Sequence, residues 1–328
     1  MSIKANDFIK DDHIPTANGT AKSANDAKDS DQYYIFDSKK ATELKRLDEQ
    51  HHALIELAKG RLVHAPAQEP KRILDIGCGT GITTVTLARM FPDAEVVGVD
   101  MFPVPPLHEK PANVVYLQAR IEHIVKDLND WVEEKHGGDT LRRGSFDYIF
   151  ARYLVLAVAN WPAFISACAA LLAPGGWLEV QEGSNFEWYT AASLTTPLND
   201  SPSYPWDWTD TVLSESAKKG YDYHIGKKLH LHMLSSGLNT VTSRYYPLCM
   251  YPWPARPETM SMGKYMTAYG PTGFSAMLGM FTPSYPEQQR AEWRRQIEEM
   301  FDRETGVEGL HWRFYSVCGR KEAKPAKV

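Results

Sequence analysis

Between Lys39 and Gly60 the apolar positions Leu44, Leu47, Leu54, Ile55, Leu57 and Ala58 recur at intervals near three and four, with His51 on the same stripe, and the run stops at a glycine. That spacing predicts an amphipathic helix ended by the residue type that best tolerates a helix terminus. From Arg72 onward the pattern changes to short apolar runs, RILDI, EVVGVD, NVVYLQA, FDYIFARYL and GGWLEVQE. Helical patterns lie between them, near Ile82 to Phe91, Ile121 to Lys135 and Trp161 to Leu172. Strands that alternate with helices predict an α/β fold, a parallel sheet covered on both faces.

After Glu182 the rhythm lapses. The segments 184–224 and 247–310 are rich in Trp, Tyr, Pro, Ser, Thr and Met with little periodicity, apart from the charged helix PEQQRAEWRRQIEEMFDRE in the second. They read as insertions lying over the sheet. Between and after them come a helix (Lys227 to Ser236), a strand (Thr240 to Tyr246) and a last strand, HWRFYSVCGRK. The expected organisation is a disordered tail (1–32), a helical cap (33–72), a sheet core (73–183, resumed at 225–246 and 311–320), two lids (184–224 and 247–310) and a frayed end (321–328).

Composition narrows the partners. With 328 residues, 43% hydrophobic and 23% charged, the chain is long enough to bury a substantial core. A net charge of −5 leaves no electrostatic footprint for nucleic acid or an anionic membrane. The apolar run Tyr153 to Ala173 is interrupted by Asn160, Pro162 and Ser166 and followed by PGGW, so no membrane span is expected. Cys78, Cys168, Cys249 and Cys318 lie far apart, without CxxC or Cys/His spacing, which suggests reduced thiols, no metal and a cytoplasmic or nuclear location.

The sharpest chemical signal is ILDIGCGTGITTVTLARMFPDAEVVGVD. Asp75, Gly77, Gly79 and Gly81 spell D-x-G-x-G-x-G, whereas a dinucleotide fingerprint needs its third glycine at position 82, which is Ile. No Lys-Ser or Lys-Thr follows, so a phosphate-binding P-loop is excluded as well. What remains is a strand-to-helix turn that a ligand can approach closely. Asp100 ends the second strand 19 residues after Gly81, where an acid can accept hydrogen bonds from both ribose hydroxyls. With no pyrophosphate to cradle, the turn can meet an amino-acid tail, whose ammonium Asp75 can help to hold.

These blocks resemble the class I methyltransferases that use S-adenosylmethionine. The order ELKRLDEQHH, DIGCGTG, NWPAFI, PGGWLEVQE and RFYSVCGRK is similar to the fungal LaeA/UMTA-like methyltransferases, over roughly residues 33 to 320. The resemblance implies a Rossmann-like, seven-stranded, mostly parallel sheet with an N-terminal helical segment and lid insertions. It implies that Asp75, Gly77, Cys78, Gly79 and Gly81 line the methionine half of the cofactor, that Asp100 holds the ribose, and that Met101 and Phe102 flank the adenine. It also implies that Arg152 faces cofactor and substrate, while Gln50 and His51 close the pocket from the first helix. One departure concerns the adenine: where the family usually has an Asp after the third strand, this chain reads LQARIEHI, so Arg120, Ile121 and Glu122 take that neighbourhood.

Methyl transfer from a sulfonium needs alignment in a dry site more than a dedicated base. Candidate bases are His51, Tyr153 and His224; His230 and His232 are two apart on a helix and cannot share a face. The aromatic inserts, with Tyr153, Glu182, Trp188 and Tyr189, suggest either the wall of a pocket for a bulky, apolar or aromatic small molecule or the core of a lid. The Asp/Asn-Pro-Pro-aromatic motif of DNA-base methyltransferases is missing after the fourth strand, which reads ARYL. A small-molecule methyltransferase of fungal secondary metabolism is therefore expected. The alternatives are a LaeA-like nuclear regulator and a cyclase that uses the sulfonium charge without transferring the methyl group.

Overall fold

The computed structural model describes residues 41–120, 141–201, 204–302 and 306–323. The expected tail 1–32, the helix expected from Ile121 to Lys135, and the site candidates Ile121 and Glu122 fall outside these residues.

The amphipathic stripe forms α1 (Ala41–Leu57), which buries His51, Ala53, Leu54 and Leu57. The alternating section follows as β1 (Arg72–Ile76), α2 (Ile82–Met90), β2 (Glu95–Asp100), β3 (Val114–Gln118), β4 (Phe146–Arg152), α3 (Trp161–Leu171) and β5 (Leu172–Tyr189). The Asn160 side chain caps α3 by accepting the Ala163 N–H, and Pro162 sits in the first turn, where its missing N–H costs nothing. Then come α4 (Asp207–Lys218), α5 (Ile225–Ser235), β6 (Leu238–Cys249), α6 (Met260–Phe281), α7 (Glu287–Met300) and β7 (His311–Lys321).

The strands make one seven-stranded sheet in the order β3-β2-β1-β4-β5-β7-β6. Strands β1 to β5 pair in parallel, and β7 runs antiparallel to both β5 and β6. This is the mostly parallel α/β sheet that the sequence predicts. From β1 the chain proceeds outward to β2 and β3, then returns to β4 on the other side of β1. The carboxyl ends of β1 and β4 therefore flank a crevice of the kind in which open α/β sheets bind ligands. On one face Leu74, Ile149, Leu178 and Val180 pack with Phe164 of α3 and Leu229 of α5; on the other Ile73, Val96, Tyr148 and Phe150 pack with Leu87 of α2.

Two expectations about the inserts need correction. Strand β5 continues to Tyr189, so residues 184–189 belong to the sheet and not to a lid. The second insert, expected to be irregular before its charged helix, contains the 22-residue helix α6, which carries Gly263, Gly270 and an internal Pro271. Local propensity argues against a helix there. Packing overrides it: a Cβ on Gly263 would collide with the Tyr251–Pro252 backbone, so the glycine lets α6 lie close against that segment.

Candidate functional site

Just past β1, the N–H groups of Gly77 and Cys78 both donate to the Val99 carbonyl of β2, at 2.8 and 3.0 Å, which bends the chain across the end of that strand. Gly77, Gly79 and Gly81 all have positive φ, and at Gly81 (φ 82°) a Cβ would stand 2.5 Å from the Tyr116 hydroxyl. The turn thus needs glycine for its backbone and for the space its missing side chain leaves. Cys78 is buried, and burial pushes its thiol well above the ordinary range, followed by the charges of Asp75 and Asp100.

Asp100 reaches this turn from β2. Its two carboxylate oxygens accept the N–H of Gly79 at 2.8 Å and of Phe102 at 3.0 Å. Burial raises this carboxyl, opposed by the N–H groups of Phe102, Gly79 and Met101, and a carboxylate has about four acceptor positions, so capacity remains for a hydroxyl donor. Asp75 is buried and accepts the Thr84 hydroxyl at 2.6 Å. Burial raises its carboxyl to about 6, against the opposing effect of that hydrogen bond. Met101 and Phe102 follow Asp100 and are half-buried, with the Met101 carbonyl accepting the Gln118 amide at 3.1 Å. Arg120 is half-buried one residue beyond Ala119, whose N–H donates to the Asp100 carbonyl at 2.7 Å.

Helix α1 lies over the turn. The Thr80 hydroxyl donates to Asp48 at 2.6 Å, and His108, from the segment after β2, pairs with Asp48 at 3.2 Å. Gln50 is half-buried on the same helix. Arg152, at the end of β4, reaches up to His51 Nδ1 at 2.8 Å and to the Thr83 hydroxyl at 2.9 Å. A guanidinium only donates, so His51 Nδ1 accepts and the ring carries its hydrogen on Nε2. Burial, and then the Arg152 charge, push His51 down to about 2. This corrects its expected role as a base: the nitrogen that would take a proton is already occupied by Arg152.

Tyr153 follows Arg152 with φ 55°, a strained conformation for a bulky residue, and its ring stacks on Phe314 at 5.1 Å. Burial, then Tyr265 and Glu182, hold its phenol well above the ordinary range, so it is a poor base. Glu182 is fully buried; the Leu154 N–H donates to its Oε1, and Oε2 has no hydrogen-bond partner among the described residues. Burial raises this carboxyl to about 8, the Leu154 bond opposing.

Three other candidates sit elsewhere. His224 precedes α5, its N–H donating to Asp222 at 3.0 Å, and burial and then Lys227 lower its pKa; the structure groups it with Lys227 and Glu187 and not with the glycine turn. Trp188 is fully buried against Phe186, Trp206, Phe274 and Trp312, so it belongs to the core of the inserts and not to a pocket wall. Tyr189 is likewise buried, stacked on His311 at 5.7 Å beneath the Arg313 guanidinium at 4.1 Å.

Asp48, Thr80, Thr83 and Thr84 were not singled out by sequence, although Asp48 precedes His51 by three residues on one helical face. A second polar cluster left no local trace. Buried Glu179 accepts from the His64 N–H at 2.8 Å, the His64 ring at 2.9 Å, Ala65 at 2.9 Å, Tyr148 at 2.9 Å, Gln181 at 2.7 Å and Ser316 at 3.0 Å. Burial alone would raise Glu179, but the hydrogen bonds outweigh it and the carboxyl is lowered, so it stays charged and ties the segment after α1 to the sheet. Among the described residues, no three His, Cys, Asp or Glu side chains gather as a metal site would require.

The sequence profile described as a methyltransferase domain matches residues 48–241. Methyltransferase pytC of Aspergillus terreus is 29% identical over 223 residues, 67% of this chain and 62% of that protein, so the match spans under two thirds of the relative. Methyltransferase str2 of Strobilurus tenacellus is 26% identical over 293 residues, 89% of this chain and 95% of that protein. Secondary metabolism regulator laeA of Monascus pilosus is 32% identical over 133 residues, 40% of this chain and 32% of that protein.

Proposed function

The chain belongs to the methyltransferase-domain family, and from that premise we propose that it moves a methyl group from S-adenosylmethionine to an O, N or S atom of a bulky, apolar or aromatic small molecule, in fungal secondary metabolism. One observation carries the reading: Asp100, fixed by the N–H groups of Gly79 and Phe102, stands beside a glycine turn at the carboxyl ends of β1 and β2. A cradle that a Cβ would fill, a hydroxyl-accepting carboxylate and a second, buried carboxyl at Asp75 suit an adenosyl amino acid.

When bound, the cofactor supplies an electrophilic methyl carbon on a positively charged sulfur. The chain's own work is to bind and orient. Asp100 would hold the ribose, Asp75 and the turn of Gly77, Cys78, Gly79 and Gly81 the amino-acid half, and Met101, Phe102 and Arg120 the adenine side. Helix α1, locked to the turn through Asp48 and to β4 through His51, would exclude water, which strengthens every polar contact beneath it. Arg152 would steer the amino-acid tail while its hydrogen bonds keep His51 neutral.

Calorimetric titration with S-adenosylmethionine tests this. Binding is expected, and Asp100→Ala should weaken it by about 10- to 100-fold, the loss of hydrogen bonds to a charged acceptor. A wild-type chain that binds neither S-adenosylmethionine nor S-adenosylhomocysteine rejects the reading. The likeness to a secondary metabolism regulator supports a second reading, a regulatory role for the same domain. Deletion in the host separates the two: loss of one metabolite fits an enzyme of one pathway, and loss of many unrelated ones a regulator. A product heavier by one methylene separates methyl transfer from cyclisation. The site is proposed to act in the cytoplasm; among the described residues no helix is long and apolar enough to cross a membrane.

A further inference from the structure

Glu182 is a buried ionisable group that the cofactor reading leaves unused. Its carboxyl is fully buried on β5, one oxygen held by the Leu154 N–H and the other, Oε2, without a hydrogen-bond partner among the described residues. Burying an acceptor unsatisfied is unfavourable, and for a carboxyl the cost is large enough to call for a physical reason. Its position suggests one. Leu154 lies two residues past the end of β4, and its side chain occupies the space a Cβ on Gly77 would need. The carboxyl is therefore anchored to the same short segment that closes over the glycine turn.

Other groups converge there. The Tyr153 phenol is within electrostatic reach of Glu182, of Tyr265 on α6, of Arg152 and of Arg46 on α1. From β7, Tyr315 is the register partner of Glu182. Helix α5 brings Gly226 against the Glu182 carbonyl, and turns Lys227 to Glu187 and Lys228 to Asp222. The two other candidate bases nearby are disabled, His51 because Arg152 occupies its accepting nitrogen and Tyr153 because burial keeps it protonated.

We propose that Glu182 Oε2 binds the methyl acceptor through the acceptor's own hydroxyl group and takes that proton during transfer. The inference rests on the methyltransferase reading and names its acceptor class, a neutral phenol, enol or alcohol. In the step, the acceptor oxygen bonds to the methyl carbon, and the carbon–sulfur bond breaks with its electron pair going to sulfur. The hydroxyl proton passes to the Glu182 carboxylate. One cationic sulfur and one carboxylate thus become a neutral thioether and a neutral acid, so charge balances. A hydroxyl needs this help because it is a weak acid, and a carboxyl raised to about 8 is better matched to a phenol near 10 than an ordinary carboxylate is. A carboxylate acceptor would instead face a like charge in a dry site.

The test uses the full chain loaded with S-adenosylhomocysteine, at a pH above about 8 where the Glu182 carboxylate can only accept. Phenol, anisole and benzoate are titrated calorimetrically into wild type and Glu182→Gln. The glutamine keeps the length and an acceptor for the Leu154 N–H, so affinity for S-adenosylhomocysteine should stay within about twofold. Wild type should bind phenol about tenfold more tightly than anisole, whose oxygen offers no hydrogen, and E182Q should erase that preference. Equal binding of phenol and anisole by wild type, a preference that survives in E182Q, or benzoate binding best would each overturn the proposal. Loss of S-adenosylhomocysteine binding in E182Q alone would make Glu182 structural and overturn it too. Failure of wild type to bind S-adenosylhomocysteine would instead remove the methyltransferase reading, and this inference with it.

Discussion

Burial favours the uncharged form of both Glu182 and His51, yet the two make stability run in opposite senses with pH. The Glu182 carboxyl moves from 4.5 to about 8 on folding, so between those values the folded chain holds a proton that the unfolded chain releases. Its contribution is full below 4.5 and is lost as pH rises through about 8. His51 moves from 6.5 to about 2; its contribution is full above 6.5 and is lost as pH falls toward about 2. Above pH 6.5 only the Glu182 effect of the pair remains, and E182Q lacks it. Urea denaturation between pH 6.5 and 8 should therefore show E182Q gaining on wild type by up to about 1.4 kcal/mol per pH unit. A gap that does not change with pH would mean that Glu182 ionises as freely as in water.

The turn between β1 and α2 is the element to which the proposed function assigns the cofactor, and its tolerance is narrow. Gly81→Ala would force a left-handed φ of 82° on an alanine and push its Cβ toward the Tyr116 hydroxyl. We expect a stability loss of about 1–2 kcal/mol, read from thermal melts, and at least tenfold weaker S-adenosylhomocysteine binding. Unchanged affinity would show that the turn does not contact the cofactor. This element was legible in sequence because its requirements are local: an acid, alternate glycines and a second acid one helix and one strand later. Helix α6 was not, because its glycines and Pro271 are helix breakers by local preference. What makes Gly263 useful is the backbone of Tyr251 and Pro252, which α6 meets only once the chain has folded.

At the scale of the molecule, the inserts are held by an aromatic core, and α1 adds polar pairs to the buried apolar face of Ala53, Leu54 and Leu57. Phe186 and Trp188 from β5, Trp208 from α4, Phe274 from α6 and Trp312 from β7 pack at ring separations between 5.3 and 6.4 Å, mostly edge-on or tilted. Trp188→Ala should lower stability by about 3–5 kcal/mol in denaturant titrations while leaving S-adenosylhomocysteine affinity nearly unchanged. A large loss of affinity would return Trp188 to the site wall. Helix α1 joins the second insert through Arg46 with Tyr265 and through Glu49 with Tyr269 at 2.7 Å, and the glycine turn through Asp48 with Thr80. The sequence by itself determined the alternating sheet, the glycine turn and its distance to Asp100, because periodicity and turn chemistry act over neighbouring residues. Only the tertiary structure decided which histidine is silenced by Arg152, which aromatics are core, and that Glu182 keeps a buried oxygen without a hydrogen-bond partner among the described residues. Each of these depends on groups brought together from distant parts of the chain, where burial and charge set what a side chain can do.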